Sequence, residues 1–224
     1  MARYYEIDGG LYVSVTTALG IIRKEHLERW RGSVGNRAAD EVFNSAGDLG
    51  SGVHNYCESI SRGEPIGDIG DEKIYLMVMG YKEWFEKHVR KVWFVERVVC
   101  HDIYRYAGRL DLAAVIKGDR LPSIIDFKTG NMGSQETMKE VGLQLSGYKE
   151  ALLQENIKTK RRIVLHIDKH NPGKVRAKEP PCDHKTDFNM FLYALQLHNH
   201  FNGQKPGEII KLGGIKNEKF SAGE

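Results

Sequence analysis

Cysteine is scarce in this chain. Cys57, Cys100 and Cys182 are an odd number at wide spacing. That excludes a disulfide framework and fits reduced thiols of a cytoplasmic protein. Long apolar runs are also missing; none approaches the ~18 residues of a membrane span. The opening residues, Met-Ala-Arg-Tyr-Tyr-Glu, lack the apolar stretch of a signal peptide, so a cytoplasmic location without membrane contact is expected. Charge of one sign is not in large excess, the net being +3. A nucleic-acid partner would therefore have to meet a local basic patch. The glycine-rich stretch from Gly47 to Gly52 is not followed by Gly-Lys-Ser/Thr, which excludes a P-loop. Cys182-x-His184 has no second ligand pair nearby, and His166 and His170 lack the spacing of a helical zinc motif. What is present is ordinary globular material, 41% hydrophobic and 28% charged in 224 residues. The expectation is one domain over residues 1–203, followed by a flexible tail rich in Gly, Lys and Glu over 204–224.

The most informative stretch runs from Gly108 to Lys128. Two apolar runs, Leu-Asp-Leu-Ala-Ala-Val-Ile and Ser-Ile-Ile-Asp-Phe-Lys, flank a polar segment containing Gly118. This is a hairpin pattern. A turn centred on Gly118-Asp119 places Asp111 opposite Asp126, and alternation puts Lys128 on the face of Asp126. Leu110, Leu112, Ile125 and Phe127 then point together toward a core. Directly opposed carboxylates repel unless a positive charge lies between them. Two carboxylates, with a backbone carbonyl, suit Mg²⁺ or Mn²⁺. The plainer reading is a surface Asp126–Lys128 ion pair with a solvated Asp111. Pro122 also leaves open a one-residue slip that would send the acids to opposite faces.

Around this hairpin the patterns are regular. Residues 3–15 alternate about Asp8-Gly9-Gly10 as a small hairpin, and Ser14 to Thr17 offer helix caps. A helical region covers about residues 24–45, ending at the Gly47–Gly52 break. His54 and Glu58, four apart, share the face of a following helix. His54 reads either as a capping residue or as part of a site. Residues 71–90 form an amphipathic helix whose stripe, from Ile74 to His88, is core. Residues 92–100 form a strand interrupted by Glu96, which serves either an edge ion pair or the same cation. Ser134 caps a helix to about residue 155, on which Gln144 and Tyr148 lie one turn apart. Tyr148 reads either as core or as a neighbour of the strand ends carrying Asp126 and Lys128. Strands at 161–168 and 174–178 and a helix over 183–201 complete the pattern. Basic residues dominate from Lys158 to Lys178, including Lys160, Arg161 and Arg162, with Asp168 the one acid. A phosphate backbone is a natural partner for them; protection of a strand edge is the competing explanation.

In this order the motifs resemble the PD-(D/E)XK nucleases, in the branch that includes RecB-like, lambda-exonuclease-like and mitochondrial genome maintenance exonucleases. The resemblance rests on Gly50-Ser-Gly-Val-His54, Glu96, Gly108-Arg-Leu-Asp111, Ile125-Asp-Phe-Lys-Thr-Gly130 and Gln144-Leu-Ser-Gly-Tyr148, and on the earlier Ser14-Val-Thr-Thr-Ala-Leu and Leu27-Glu-Arg-Trp30. It implies an α/β fold with a restriction-endonuclease-like core, a central mixed sheet flanked by helices, with N-terminal helical additions. It implies a Mg²⁺- or Mn²⁺-dependent DNA exonuclease of recombination, repair or replication, of the kind phages also encode. Asp111, Asp126, the Phe127 carbonyl and His54 would hold one or two ions. Lys128 would be catalytic alongside the two acids, with Glu96 an upstream acid of variable placement. Gln144, Tyr148, Arg109 and Thr129 would meet the substrate. An annealing or single-strand-binding protein would be a partner, and both monomers and rings occur in the family. The iron–sulfur cluster of some relatives needs four cysteines and is not expected here. An endonuclease of the same fold and an inactive DNA-binding module are the rival expectations.

Overall fold

The structure is a computed structural model that describes residues 3–130, 132, 134–202 and 218–219. The expected tail lies outside the described residues except for that last pair. The chain opens with β1 (Tyr4–Ile7) and β2 (Gly10–Ser14), antiparallel with Ile7 opposite Gly10. Asp8 and Gly9 both take positive φ, +47° and +73°, as a two-residue hairpin matched to strand twist requires. Ser14 then caps the short α1 (Val15–Leu19) by accepting a 3.0 Å bond from the Thr17 amide. Next come α2 (Glu25–Val34), α3 (Asn36–Arg62), α4 (Glu72–His88), β3 (Val89–His101), β4 (Tyr106–Ile116) and β5 (Ser123–Lys128). The remaining elements are α5 (Gln135–Gln154), β6 (Arg162–Ile167), β7 (Val175–Lys178), α6 (His184–Phe201) and the two-residue β8 (Glu218–Lys219). Asp71, Ser134 and Asp183 cap α4, α5 and α6.

The strands form one mixed sheet in the order β7-β6-β5-β4-β2-β1-β8, with β3 also paired to β4. Helices cover both faces. Val53 and Cys57 of α3 and Met77 and Tyr81 of α4 pack on Leu112, Ile125, Phe127 and Leu165. On the other face α1, α5 and α6 pack on Tyr106, Leu110, Ala113, Ile124 and Val164. The architecture is thus α/β, a mixed sheet between layers of helix. No described helix is long and apolar enough to cross a membrane.

Two expectations are corrected. The Gly47–Gly52 stretch does not break the chain; it lies inside α3, which runs for 27 residues. The actual break is Gly35, whose φ of +85° ends α2. Glycine inside α3 serves close approach: a Cβ on Gly50 would stand 3.2 Å from Thr129 Oγ1. Leu110 does not share a face with Leu112, for the reason given below. The hairpin register, in contrast, is as expected. Leu112 pairs with Ile125, Ala113 with Ile124 and Ala114 with Ser123. Gly118 turns the chain with φ +90°, and Pro122 causes no slip.

Candidate metal centre

The site forms where β4 parts from β5. Their ladder covers Leu112–Ala114 and stops there, and beyond Asp111 β4 pairs with β2 instead, Tyr106 opposite Val13. A buried amide released from a ladder needs another acceptor. The Phe127 amide finds it in the Asp111 side chain, donating to Oδ2 at 2.7 Å. On the other side of β4, the pairs Val95–Leu112 and Arg97–Leu110 bracket Glu96 opposite Asp111. Glu96 is left-handed, with φ +50°. A non-glycine residue in that conformation costs roughly 1–2 kcal/mol. Its effect is to change which face the following residues present. Phe94 and Val99, five apart, pack into the same core, as do Leu110 and Ala113, three apart. Strict alternation would separate both pairs, so both strands change face beside Glu96 and Asp111, and Leu110 departs from the expected face with them.

His54 arrives from α3. Its Nε2 lies 3.0 Å from the Phe127 carbonyl oxygen and its ring meets the Phe127 ring edge-on at 5.5 Å. With the proton on Nε2, donating to that carbonyl, Nδ1 turns a lone pair toward Asp111 Oδ2, 3.9 Å away. One ligand atom each from His54, Glu96 and Asp111 lies within 4.8 Å of the other two. Asp126 is not part of that grouping. It is 2% exposed; its Oδ1 accepts from Gln144 Nε2 at 2.8 Å, and its Oδ2 pairs with the Lys128 ammonium, Nζ 2.7 Å away. Gln144 also donates to the Tyr148 hydroxyl at 3.2 Å. Tyr148 packs closely on the Gly108 backbone, where any Cβ would collide with its ring. Tyr148 is therefore both core and neighbour of the acids.

The electrostatics express a shortage of positive charge. Burial and then the Asp126 carboxylate push the Asp111 carboxyl well above its usual range. Burial, then Glu58, raise Glu96. Burial, then Lys128, lower His54, which keeps its imidazole neutral. Burial alone would lower Lys128, but Asp126 and Asp111 outweigh it and hold the ammonium charged. Two elevated carboxyls and a neutral imidazole, beside the buried Asp126 carboxylate, fit a hard divalent cation.

No family model matches this chain, and no curated protein matches it. Among solved structures the chain is similar to one described as "Crystal structure of SSO0001", with a TM-score of 0.46 and 18% identity, over 84% of this chain and 76% of that one.

The other residues expected at the site divide into two groups. Arg109 Nε stands 3.9 Å from Glu96 Oε2, and Thr129 is buried beside Gly50. Lys160, Arg161 and Arg162 do not reach the cluster. Arg162 pairs with Ile124 in the sheet, whereas Lys128 pairs with His166 four residues on. At ~3.3 Å per residue that is about 13 Å away. Lys160 Nζ is 2.6 Å from Asp119 Oδ1, and Arg161 binds the other oxygen of Asp119. Arg162 is buried, donating to Ser146 Oγ and Asp187 Oδ2 at 2.5 Å and to the Gly142 carbonyl at 3.0 Å. Arg162 is thus held internally, while Lys160 and Arg161 stay partly exposed beside Asp119, all three at the far end of the strands. Glu58 and Arg62, an ion pair one and two turns beyond His54, bear on Glu96 and were not anticipated there. Their i, i+4 spacing was visible in the sequence, but nothing in it placed α3 against β3.

Proposed function

We propose that this protein is a divalent-metal-dependent nuclease, acting on DNA from its ends. The supporting observation is the convergence of Asp111, Asp126 and Lys128 from adjoining strands, with His54 and Glu96 beside them. His54, Glu96 and Asp111 would hold Mg²⁺ or Mn²⁺, with Asp126 and the Phe127 carbonyl adjacent. A bound ion would supply a lowered pKa for an attacking water and neutralisation of the phosphate oxygens. Lys128 holds a charged amine at Asp126, where it orients a water and offsets charge on the scissile phosphate. Gln144 fixes the Asp126 carboxylate, and Tyr148 fixes Gln144. Left-handed Glu96 brings its carboxylate to Asp111, so the strain is stored where the ligands meet.

The reading extends to a role in recombination, repair or replication, with an annealing or single-strand-binding protein as partner. The test is a time course on 5′- and 3′-labelled single- and double-stranded DNA with Mg²⁺ or Mn²⁺. Asp126→Asn should abolish product formation; undiminished cleavage by that variant would refute the assignment. A covalently closed circle should stay intact. Its linearisation would make the protein an endonuclease instead.

A further inference from the structure

One long edge of the sheet lies open beside the site. Among the described residues β3 pairs with β4 alone, through 13 residues that include Glu96. Its register against β4 shifts twice, between Val89 and Lys91 and between Val92 and Phe94. The extra residues are Arg90 and Trp93, both exposed, and Lys91 between them is exposed too. Bulges and cations keep an edge strand from pairing with other chains. An exposed indole does the opposite, and Trp93 is 41% exposed. A partner that covers the ring removes that liability.

The surroundings indicate which kind. Trp93 is braced: its ring meets Phe94 edge-on at 6.2 Å, and the Arg97 guanidinium lies over Phe94 at 4.0 Å. Arg97 is in turn held by Glu155 at the end of α5, Nη2 to Oε2 at 2.5 Å. A ring fixed on one side, with cations on its own strand, is the arrangement that stacks a base while neighbouring charges meet the phosphates. Bulges re-aim side chains next to active sites. Trp93 precedes Glu96 by three residues, roughly 10 Å along the strand. That separation along β3 is the span of one or two nucleotides of an extended single strand.

We infer that Trp93 is a base-stacking platform that receives a single-stranded segment of nucleic acid and leads it to the His54–Glu96–Asp111 cluster. The inference rests on the nuclease reading and deepens it. Bases of an intact duplex are already stacked on each other, so an indole here selects frayed ends or single strands.

The test measures binding without cleavage. Fluorescence anisotropy in EDTA would compare wild type, Trp93→Phe and Trp93→Ala on a labelled oligothymidylate of about twelve nucleotides and on an abasic strand of equal length. Trp93→Ala should weaken oligothymidylate binding on the order of 10- to 100-fold, with Trp93→Phe retaining most of the affinity. Wild type should bind the abasic strand about as weakly as Trp93→Ala binds either strand. Equal affinities of wild type and Trp93→Ala for oligothymidylate would overturn the inference, as would equal losses on both strands. Because cleavage plays no part, failure here is separate from failure of wild type to cut DNA with Mg²⁺.

Discussion

At the scale of single residues, Asp111 is the position where function and stability oppose each other. Its carboxyl is raised by burial and by Asp126. A carboxyl with a raised folded pKa adds stability that is complete below about pH 4, where the unfolded group titrates. That stability is lost as the pH climbs through the elevated folded value. At pH 8 in EDTA, Asp111→Asn should therefore be more stable than wild type, by about 2–4 °C in Tm for each kcal/mol relieved. Its amide oxygen can still accept from the Phe127 amide. Mg²⁺ should raise the Tm of wild type and leave that of the variant unchanged. Scanning calorimetry decides it, and a destabilised variant in EDTA would contradict the electrostatic account. Lys128 gives a second case. Because its amine competes with a cation for Asp126, Lys128→Gln should bind Mg²⁺ more tightly by titration calorimetry, while turnover falls about 10²- to 10⁴-fold. The acids and the amine were legible because strand alternation and one turn position fix them. The role of Glu96 was left open because left-handed backbone at a glutamate leaves no mark in the sequence.

Between elements, the site depends on how closely α5 lies on β4. Gly108 permits the approach of Tyr148, and Gly108→Ala should cost about 1–3 kcal/mol by displacing that ring. Combining it with Tyr148→Leu should cost less than the two changes added together, measured by urea denaturation. Strict additivity would mean that the ring has room to move. The α5–α6 pair is joined to the sheet by buried Arg162, which bonds Gly142, Ser146 and Asp187. Arg162→Ala leaves Asp187 buried without its partner and should cost about 3–5 kcal/mol. Hydrophobic spacing and caps marked the helices on either side of these contacts in the sequence. The glycines were harder to read. Gly50 looks the same in sequence whether it ends a helix or lets Thr129 approach one, and tertiary contact alone distinguishes the two.

Over the whole molecule, charge is nearly balanced, so the placement of cations decides where a polyanion binds. The dense basic run beginning at Lys158 looks like the binding surface when read along the chain. Folding brings Asp119 from the β4–β5 turn to Lys160 and Arg161, which offsets part of their charge, and buries Arg162, which removes it from competition for phosphate. A sequence shows charge along one dimension, whereas the partners that neutralise it come from forty residues away. The exposed cations of the β3 edge, Arg90 and Lys91, were less conspicuous and lie on the strand that carries Glu96. The two regions can be separated by salt dependence. Each single-strand phosphate contact contributes about 0.7 to the slope of log K against log salt. Arg90→Ala with Lys91→Ala should therefore lower the slope by about 1.4 for a single-stranded oligonucleotide. Lys160→Ala with Arg161→Ala should lower it by less, since those two cations already face two acids, Asp119 and Glu179, in the free protein. The reverse pattern, read by anisotropy titrations from low to moderate salt, would move the nucleic-acid path from the β3 edge to the β5–β6 end of the sheet.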